Sequence, residues 1–322
     1  MQSLFELPEP VVAGAPLREE DVALARALPG LVRLGTMSWS FAGWRGLVYA
    51  SDTPTSLLSA RGLTGYSQHP LLRAVEIDRS YYEPLPAEHL RAYAEQVPSD
   101  FRFLVKAHEA CSVERFPKHA RYGSKRGELN PLYLDASYAA DLVVGPIVSG
   151  LGERLGAICF QFPPSEQSES PGAFADRLGV FLSRLPRGVP YAVELRNERL
   201  FGQRYVEALV QAGAVHCHNA WGTMPTVLEQ ARLVPPAARN PLIVRWLLAP
   251  GEKYEDARDR FRPFDRITRE DLGRREMIAR LAAKAAAHSV PVMVLINNKA
   301  EGCAPESAVR LAGAITRVAA AL

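Results

Sequence analysis

Short apolar runs of strand type alternate along the chain with segments of helical spacing. The strand-like runs are VRLGTMS (32–38), RAVEIDRS (73–80), FRFLVKA (101–107), AICFQF (157–162), YAVELR (191–196), AVHCHNA (214–220), LIVRWLL (242–248) and VMVLINN (292–298). Between them PAEHLRAYAEQV, YAADLVVGPIVSGL, AFADRLGVFLSRL, RYVEALVQAG, LGRREMIARLAAKAAAH and the terminal PESAVRLAGAITRVAAAL carry apolar residues three and four positions apart, which predicts helices. Strand and helix alternating eight times predict an α/β fold, a single closed (β/α)8 barrel of TIM type rather than an open doubly wound sheet. Residues 1–30, rich in Pro, Ala and acid, read as an N-terminal extension with one short helix in DVALARALPG; residues 31–322 form the barrel domain.

Three connections exceed the usual length: 40–72, 108–134 and 249–271, after strands 1, 3 and 7. All fall on the face where such barrels keep their sites. The second, basic and polar, reads as a solvated insertion or as a substrate lid.

Side chains alternate across a strand, so parity assigns each residue a face. In strand 5 Tyr191, Val193 and Leu195 share the face that packs on helices, which sends Glu194 and Arg196 into the barrel. The same division puts Glu76 and Asp78 of strand 2, Lys106 of strand 3, Gln161 of strand 4 and Arg245 of strand 7 inside, while Trp246 joins the helix-facing core. Strand 8 closes with Asn297 and Asn298, either of which can point inward. Charge converging at strand ends marks a site, because charged groups rarely stay buried unless paired or functional. The competing reading is an interior ion-pair lattice that only plugs the barrel. Buried ion pairs are weakly stabilising at best, which disfavours it.

Composition narrows the class. The chain has 322 residues, 48% of them hydrophobic, enough for a large core. A net charge of +3 from 38 basic and 35 acidic residues leaves no nucleic-acid footprint beyond Arg115, Lys118, Arg121, Lys125 and Arg126 in the second long connection, so nucleic acid is disfavoured as a partner. No apolar run reaches the roughly 18 residues of a membrane span, and none has signal-peptide form. The expected setting is cytoplasmic, with Cys111, Cys159, Cys217 and Cys303 as reduced thiols.

Six blocks carry a resemblance: GTMSWSFAGWRG (35–46), VEIDRSYYEPLP (75–86), FRFLVKAHE (101–109), LGAICFQFPPS (155–165), LPRGVPYAVELRNERLF (185–201) and VLINNKAEGCA (294–304). Together they resemble the DUF72 family, also called YecE-like proteins, over about residues 32–312. The resemblance implies a TIM-type barrel whose biochemical function is unassigned. It implies that Gly35, Trp39, Trp44 and Gly46 match the first block, Glu76 and Tyr82 the second, Lys106 the third, Gln161 and Pro163 the fourth, Glu194 and Arg196 the fifth, and Asn297 and Asn298 the eighth. There are departures. Asp78 stands where the family usually has Asn, Met37 and Ser38 where it has Ser and Gly, and Trp246, Leu247 and Leu248 follow Arg245 where the usual ending is Arg-x-His-Gly. The chain is a divergent member by these marks.

The constellation suits acid/base chemistry on a small-molecule substrate, anionic or polyhydroxyl, phosphorylated or sugar-like. Glu76, Lys106 and Glu194 are the catalytic candidates, since mixed charge in a partly dry pocket pushes pKa values apart. Trp39, Trp44, Asp78, Tyr82, Gln161, Arg196, Arg245, Asn297 and Asn298 are the substrate-binding candidates, the arginines as bidentate anion donors and the aromatics as stacking walls. The turn NNKAEGCAPES adds a helix start suited to an anion. A glycosidase needs two facing carboxylates, and the strand-4 and strand-7 positions usual for them hold Gln161 and Arg245; a Schiff-base role for Lys106 needs a lowered pKa that flanking carboxylates oppose. No cofactor is indicated. Glu76, Asp78, Glu194 and Asn297 are oxygen ligands suited to a divalent metal, but no metal-binding motif accompanies them, and His216-x-His218 reads as a pair of satisfied polar residues. A non-catalytic metabolite-binding barrel and a nucleic-acid-processing enzyme are the alternatives.

Overall fold

The structure is a computed structural model that describes residues 11–164, 169–237, 240–249 and 251–322. Residues 1–10 of the expected extension and Pro250 of the third long connection lie outside the described residues. Eight parallel strands close into a barrel in chain order: β1 Val32–Thr36, β2 Leu72–Ile77, β3 Arg102–Lys106, β4 Leu155–Phe162, β5 Tyr191–Leu195, β6 Val215–Asn219, β7 Leu242–Trp246 and β8 Val292–Ile296. β1 closes the barrel by pairing with β8 from Val32↔Val292 to Thr36↔Ile296. The expected strands all form, most ending a residue or two earlier than the apolar runs, whose next residue in several cases still donates one backbone hydrogen bond to the neighbouring strand, as Ala107 does to Cys159 and Ala220 to Arg245.

The expected helices form at Ala87–Ala94, Gly145–Leu151, Pro171–Ser183, Gln203–Ala212, Leu272–Ala287 and Ala304–Ala319. A helix at Val227–Leu233 escaped the periodicity because it is only seven residues long. Its signal was present: Thr226 and Glu229 form a reciprocal capping box. In the extension, Glu19–Ala27 is helical and lies against the last helix, with Arg18 donating to Glu306 at 3.0 Å. The three long connections carry short helices of their own, including Thr55–Arg61 and Tyr254–Phe261.

Two apolar layers follow from strand parity. Outward residues such as Val75, Ile77, Phe103, Phe160, Phe162, Val193, Val244 and Trp246 pack under the helices. The barrel interior is a second, separate cluster that includes Met37, Ala74, Leu104, Ala157, Cys159, Ala192, Cys217, Ile243, Leu247 and Leu295. Small residues dominate its narrow middle, and the polar inward residues sit above them at the C-terminal end. All four cysteines are free and buried. Among the described residues no helix is long and apolar enough to cross a membrane.

Gly35 is where the barrel wall is tightest. The β1–β2 register shifts between Leu34 and Gly35, and a Cβ at Gly35 would stand 1.9 Å from the Ala74 carbonyl oxygen. Backbone, not a movable side chain, occupies that space, so only glycine fits. Gly35→Ala should therefore lower stability by about 2–3 kcal/mol, read as a drop in the thermal midpoint, whereas Gly30→Ala, which meets nothing within 4 Å, should leave the midpoint nearly unchanged.

Candidate functional site

Arg245 projects from the end of β7 into the centre of the barrel and is 3% exposed. A guanidinium has five N–H donors, and here every one has an acceptor. Nε and Nη2 donate to the two oxygens of Glu76, each at 2.8 Å. Nη1 donates to Glu194 Oε2 and, at 3.3 Å, to Gln161 Oε1, while Nη2 also reaches Met37 Sδ at 3.7 Å. Glu194 is closed from the other side by Arg196, whose Nε donates to Oε1 at 2.7 Å and whose guanidinium lies 4.4 Å over the Trp221 ring.

This saturation changes the roles expected for the two glutamates. Both are fully buried, and each has both oxygens taken by arginine. Burial pushes the Glu194 carboxyl up, but Arg245 and Arg196 overcome it and hold the group at about 2, against an ordinary 4.5. Burial also raises Glu76, and there the pull of Arg245 only partly offsets it, with Asp78 adding to the rise. A bidentate arginine contact nevertheless needs both Glu76 oxygens as acceptors, so geometry assigns it the ionised form at neutral pH. Glu76, Glu194, Gln161 and Arg245 thus make a locked floor, the ion-pair lattice that strand parity left as the competing reading.

Above the floor the groups are less fully engaged. Lys106, the last residue of β3, donates to Asp78 Oδ1 at 2.8 Å, and its ammonium lies 3.8 Å from the Tyr81 ring centre. Ser80 ties the ends of β2 and β3 together by donating to the carbonyls of Ile77 and Lys106. The Asp78 side chain is 42% exposed; burial raises its carboxyl, and Lys106 outweighs this and lowers it. Asp78 borders a cleft of about 410 Å³ at the C-terminal mouth, walled also by Ser38, Trp44, Tyr82, Tyr254, Asn297, Asn298 and Lys299. Of the binding candidates, the structure brings Trp44, Asp78, Tyr82, Asn297 and Asn298 to this cleft and puts Gln161, Arg196 and Arg245 in the floor or beside it.

Trp39 goes elsewhere. Its indole donates to the Leu58 carbonyl at 2.9 Å and meets Tyr93 edge-on at 5.0 Å, which seats it in the outer core between the first long connection and the helix after β2. The histidine pair also leaves the mouth. His216 faces the helices, bonded to Tyr205 at 2.9 Å and Gln230 at 3.0 Å, while His218 packs on it at 4.8 Å, and burial first of all lowers both imidazoles. Sequence reasoning missed Tyr254 and Lys299 because both lie beyond strand ends, where parity is silent. The long connection after β3 does reach the mouth, its Arg121 lying 4.9 Å from the Tyr82 ring and donating to Glu109.

Among the described residues, the one cluster of three possible metal-ligating His, Cys, Asp or Glu side chains is Cys159, Glu194 and Cys217, the floor glutamate with two buried cysteines. Both Glu194 oxygens already serve arginines, and burial pushes the Cys217 thiol well up, so its thiolate form is disfavoured. The oxygen set Glu76, Asp78, Glu194 and Asn297 is divided: the two glutamates are in the floor and the other two residues on the cleft.

Comparison with known proteins agrees with this architecture. Residues 33–321 match the family described as "Protein of unknown function DUF72". The UPF0759 protein YunF of Bacillus subtilis (strain 168) is 26% identical over 186 residues, so that the matched part spans 55% of this chain and 60% of that relative. A solved DUF72 family protein from Enterococcus faecalis V583 superposes with a TM-score of 0.57 at 17% identity, covering 88% of this chain and 95% of the other. One from Thermotoga maritima MSB8 gives 0.54 at 18% identity, covering 87% and 97%. At these identities the likeness concerns the fold.

Two substitutions test the floor. Arg245→Met leaves buried carboxylates without their shared cation and should cost about 3–5 kcal/mol at neutral pH; chemical denaturation should show part of this loss recovered as acid protonates them. Glu194 contributes stability that is complete above its ordinary 4.5 and disappears as pH falls toward about 2. The thermal midpoint of Glu194→Gln should accordingly start lower than that of the parent and fall less steeply across that window.

Proposed function

The chain belongs to the DUF72 family, and from that premise we propose that it is an enzyme acting by proton transfer on a small anionic or polyhydroxyl substrate at the C-terminal mouth of the barrel. The observation that carries this reading is the contrast between a saturated floor and Asp78, which borders an open cleft with the buried Lys106 paired behind it. Asp78 receives Lys106 at Oδ1, and among the described residues nothing donates to Oδ2. That oxygen is available to accept from a substrate hydroxyl or to take its proton. Lys106, held by Asp78 and the Tyr81 face, supplies donors for a carbonyl or leaving oxygen.

Glu76, Glu194 and Arg245 are positioning residues in this reading. Their network fixes the ends of β2, β5 and β7, so the groups above them keep their spacing without reorganising during reaction. Tyr82 and Tyr254 offer aromatic faces to the substrate's carbon skeleton, and Asn297, which accepts from the Lys299 backbone at 2.9 Å, holds the β8 turn against the cleft.

A non-catalytic metabolite-binding barrel would use the same walls. Turnover separates the two: on a panel of hydrolase, lyase and isomerase substrates, Asp78→Asn should lower kcat by about 10²–10⁴-fold while metabolites that raise the thermal midpoint of the parent still raise that of the variant. If metabolites stabilise both proteins and neither turns anything over, the enzyme reading fails. Salt-dependent oligonucleotide binding, lost on neutralising Lys118 and Lys125 after β3, would replace it with the nucleic-acid reading.

A further inference from the structure

The cleft after β8 contains more hydrogen-bond donors than the protein has acceptors for. Trp44 Nε1 and Asn298 Nδ2 are buried donors with no partner among the described residues, and both residues line the cleft. Asn298 is 4% exposed and its Oδ1 already accepts from the Ala304 backbone at 2.8 Å, so only its amide N–H groups remain. A buried donor left unmade is costly, and each such group in a native fold calls for an explanation.

The charge around these donors points the same way. Lys299 has no carboxylate within ion-pair distance among the described residues; its ammonium lies 4.0 Å from the Tyr254 ring centre and 5.7 Å from that of Phe264, which hold it at the cleft wall. Asp78 is the one acid among the lining residues, and Lys106 already balances it. The helix Ala304–Ala319 begins at the same wall, but its first turn is already served, by Asn298 Oδ1 accepting from the Ala304 N–H and by Glu306, so the positive character of the corner comes from Lys299 and the two side-chain donors.

We propose that this corner of the cleft, formed by Trp44, Asn298 and Lys299, binds the phosphate group of a phosphate monoester. The proposal rests on the reading of the mouth as a small-molecule site and names the class of its ligand. An acceptor-only group is needed, since the corner offers donors and positive charge. A carboxylate has two oxygens and one charge; a phosphate monoester presents three oxygens and close to two charges, and so matches two orphan donors and an ammonium together. The cleft's volume of about 410 Å³ exceeds what a phosphate group fills, which leaves room for the ester's carbon part to run toward Tyr82 and Asp78.

The probe is inorganic phosphate, titrated by calorimetry and thermal shift against the parent protein at constant ionic strength, with acetate and chloride as comparison anions. Phosphate should bind and stabilise, acetate should do so more weakly, and chloride should have no specific effect. Lys299→Gln should weaken phosphate binding at least about tenfold, and Trp44→Phe, which removes the indole donor and keeps an aromatic ring, should weaken it by a smaller factor. Both variants should keep the parent's circular dichroism. Equal response to all three anions, or unchanged phosphate affinity in two folded variants, overturns the proposal. Phosphate binding through Lys299 without any turnover would sink the enzyme reading alone; turnover of an unphosphorylated substrate, unaffected by Lys299→Gln, would sink the phosphate subsite alone.

Discussion

Arg245 is the constraint on which the upper half of the barrel is built. One guanidinium, 3% exposed, links β7 to Glu76 on β2, Gln161 on β4 and Glu194 on β5, and Glu194 passes the connection to Arg196. Bringing these charges out of water costs about as much as their attraction returns, so the network adds little net stability over an apolar plug. What it adds is geometry. Five directional donors with five acceptors admit one arrangement of four strand ends, and a hydrophobic plug would not select among arrangements in that way.

The division between locked and free groups follows from depth. In the dry interior a charge persists only where its partner is in place, hence the complete satisfaction of Arg245 and the low value of Glu194. One layer higher, Asp78 is partly wetted and keeps an unused oxygen, and Lys299 makes do with aromatic faces in place of a carboxylate. Groups with unfilled valences at the boundary of protein and solvent are those that a ligand can engage without dismantling the fold. The floor holds them at fixed separation, and the long connections after β1, β3 and β7 close around them with Trp44, Arg121 and Tyr254.

Strand parity was enough to place Glu76, Lys106, Gln161, Glu194 and Arg245 inside the barrel, because a period of two is a property of the backbone alone. It could not show that Arg245 reaches across the barrel to Glu76, since that depends on barrel radius and on which side chain occupies the centre first. Two glutamates and a lysine in one cavity therefore resembled an acid/base set, although a saturating arginine takes both glutamates out of that role. Aromatic residues in the first long connection were harder still. Trp39 and Trp44 stand five residues apart in one block and both pack in the outer core, Trp39 against Leu58 and Tyr93, while Trp44, though fully buried, also backs the cleft. His216-x-His218 had the spacing of a ligand pair, but its parity is that of Val244 and Trp246, the helix-facing set; reading parity through strand 6 would have removed it from the mouth.

The departure in strand 7 acquires a physical meaning from this arrangement. Where the resemblance implies Arg-x-His-Gly, position 247 is leucine, 5% exposed and packed in the interior cluster with Met37 and Ile243. Two residues beyond Arg245, it shares that residue's inward parity, so a histidine in its place would put a titratable group at the inner edge of the mouth, beside the floor. Leucine makes this sector apolar. Met37, where the family has serine, is on the same side and takes a weak contact from Arg245. Met37 and Leu247 make the inner rim apolar on the β1 and β7 side, while Asp78 and its partner Lys106 keep ionisable groups on the β2 and β3 side. Asp78 is itself a departure, an ionisable carboxylate where the resemblance implies the neutral amide of Asn. Leucine at 247 and aspartate at 78 together shift the ionisable groups of the rim toward β2, while the floor below, two carboxylates held by Arg245 and Arg196, stays charge-balanced.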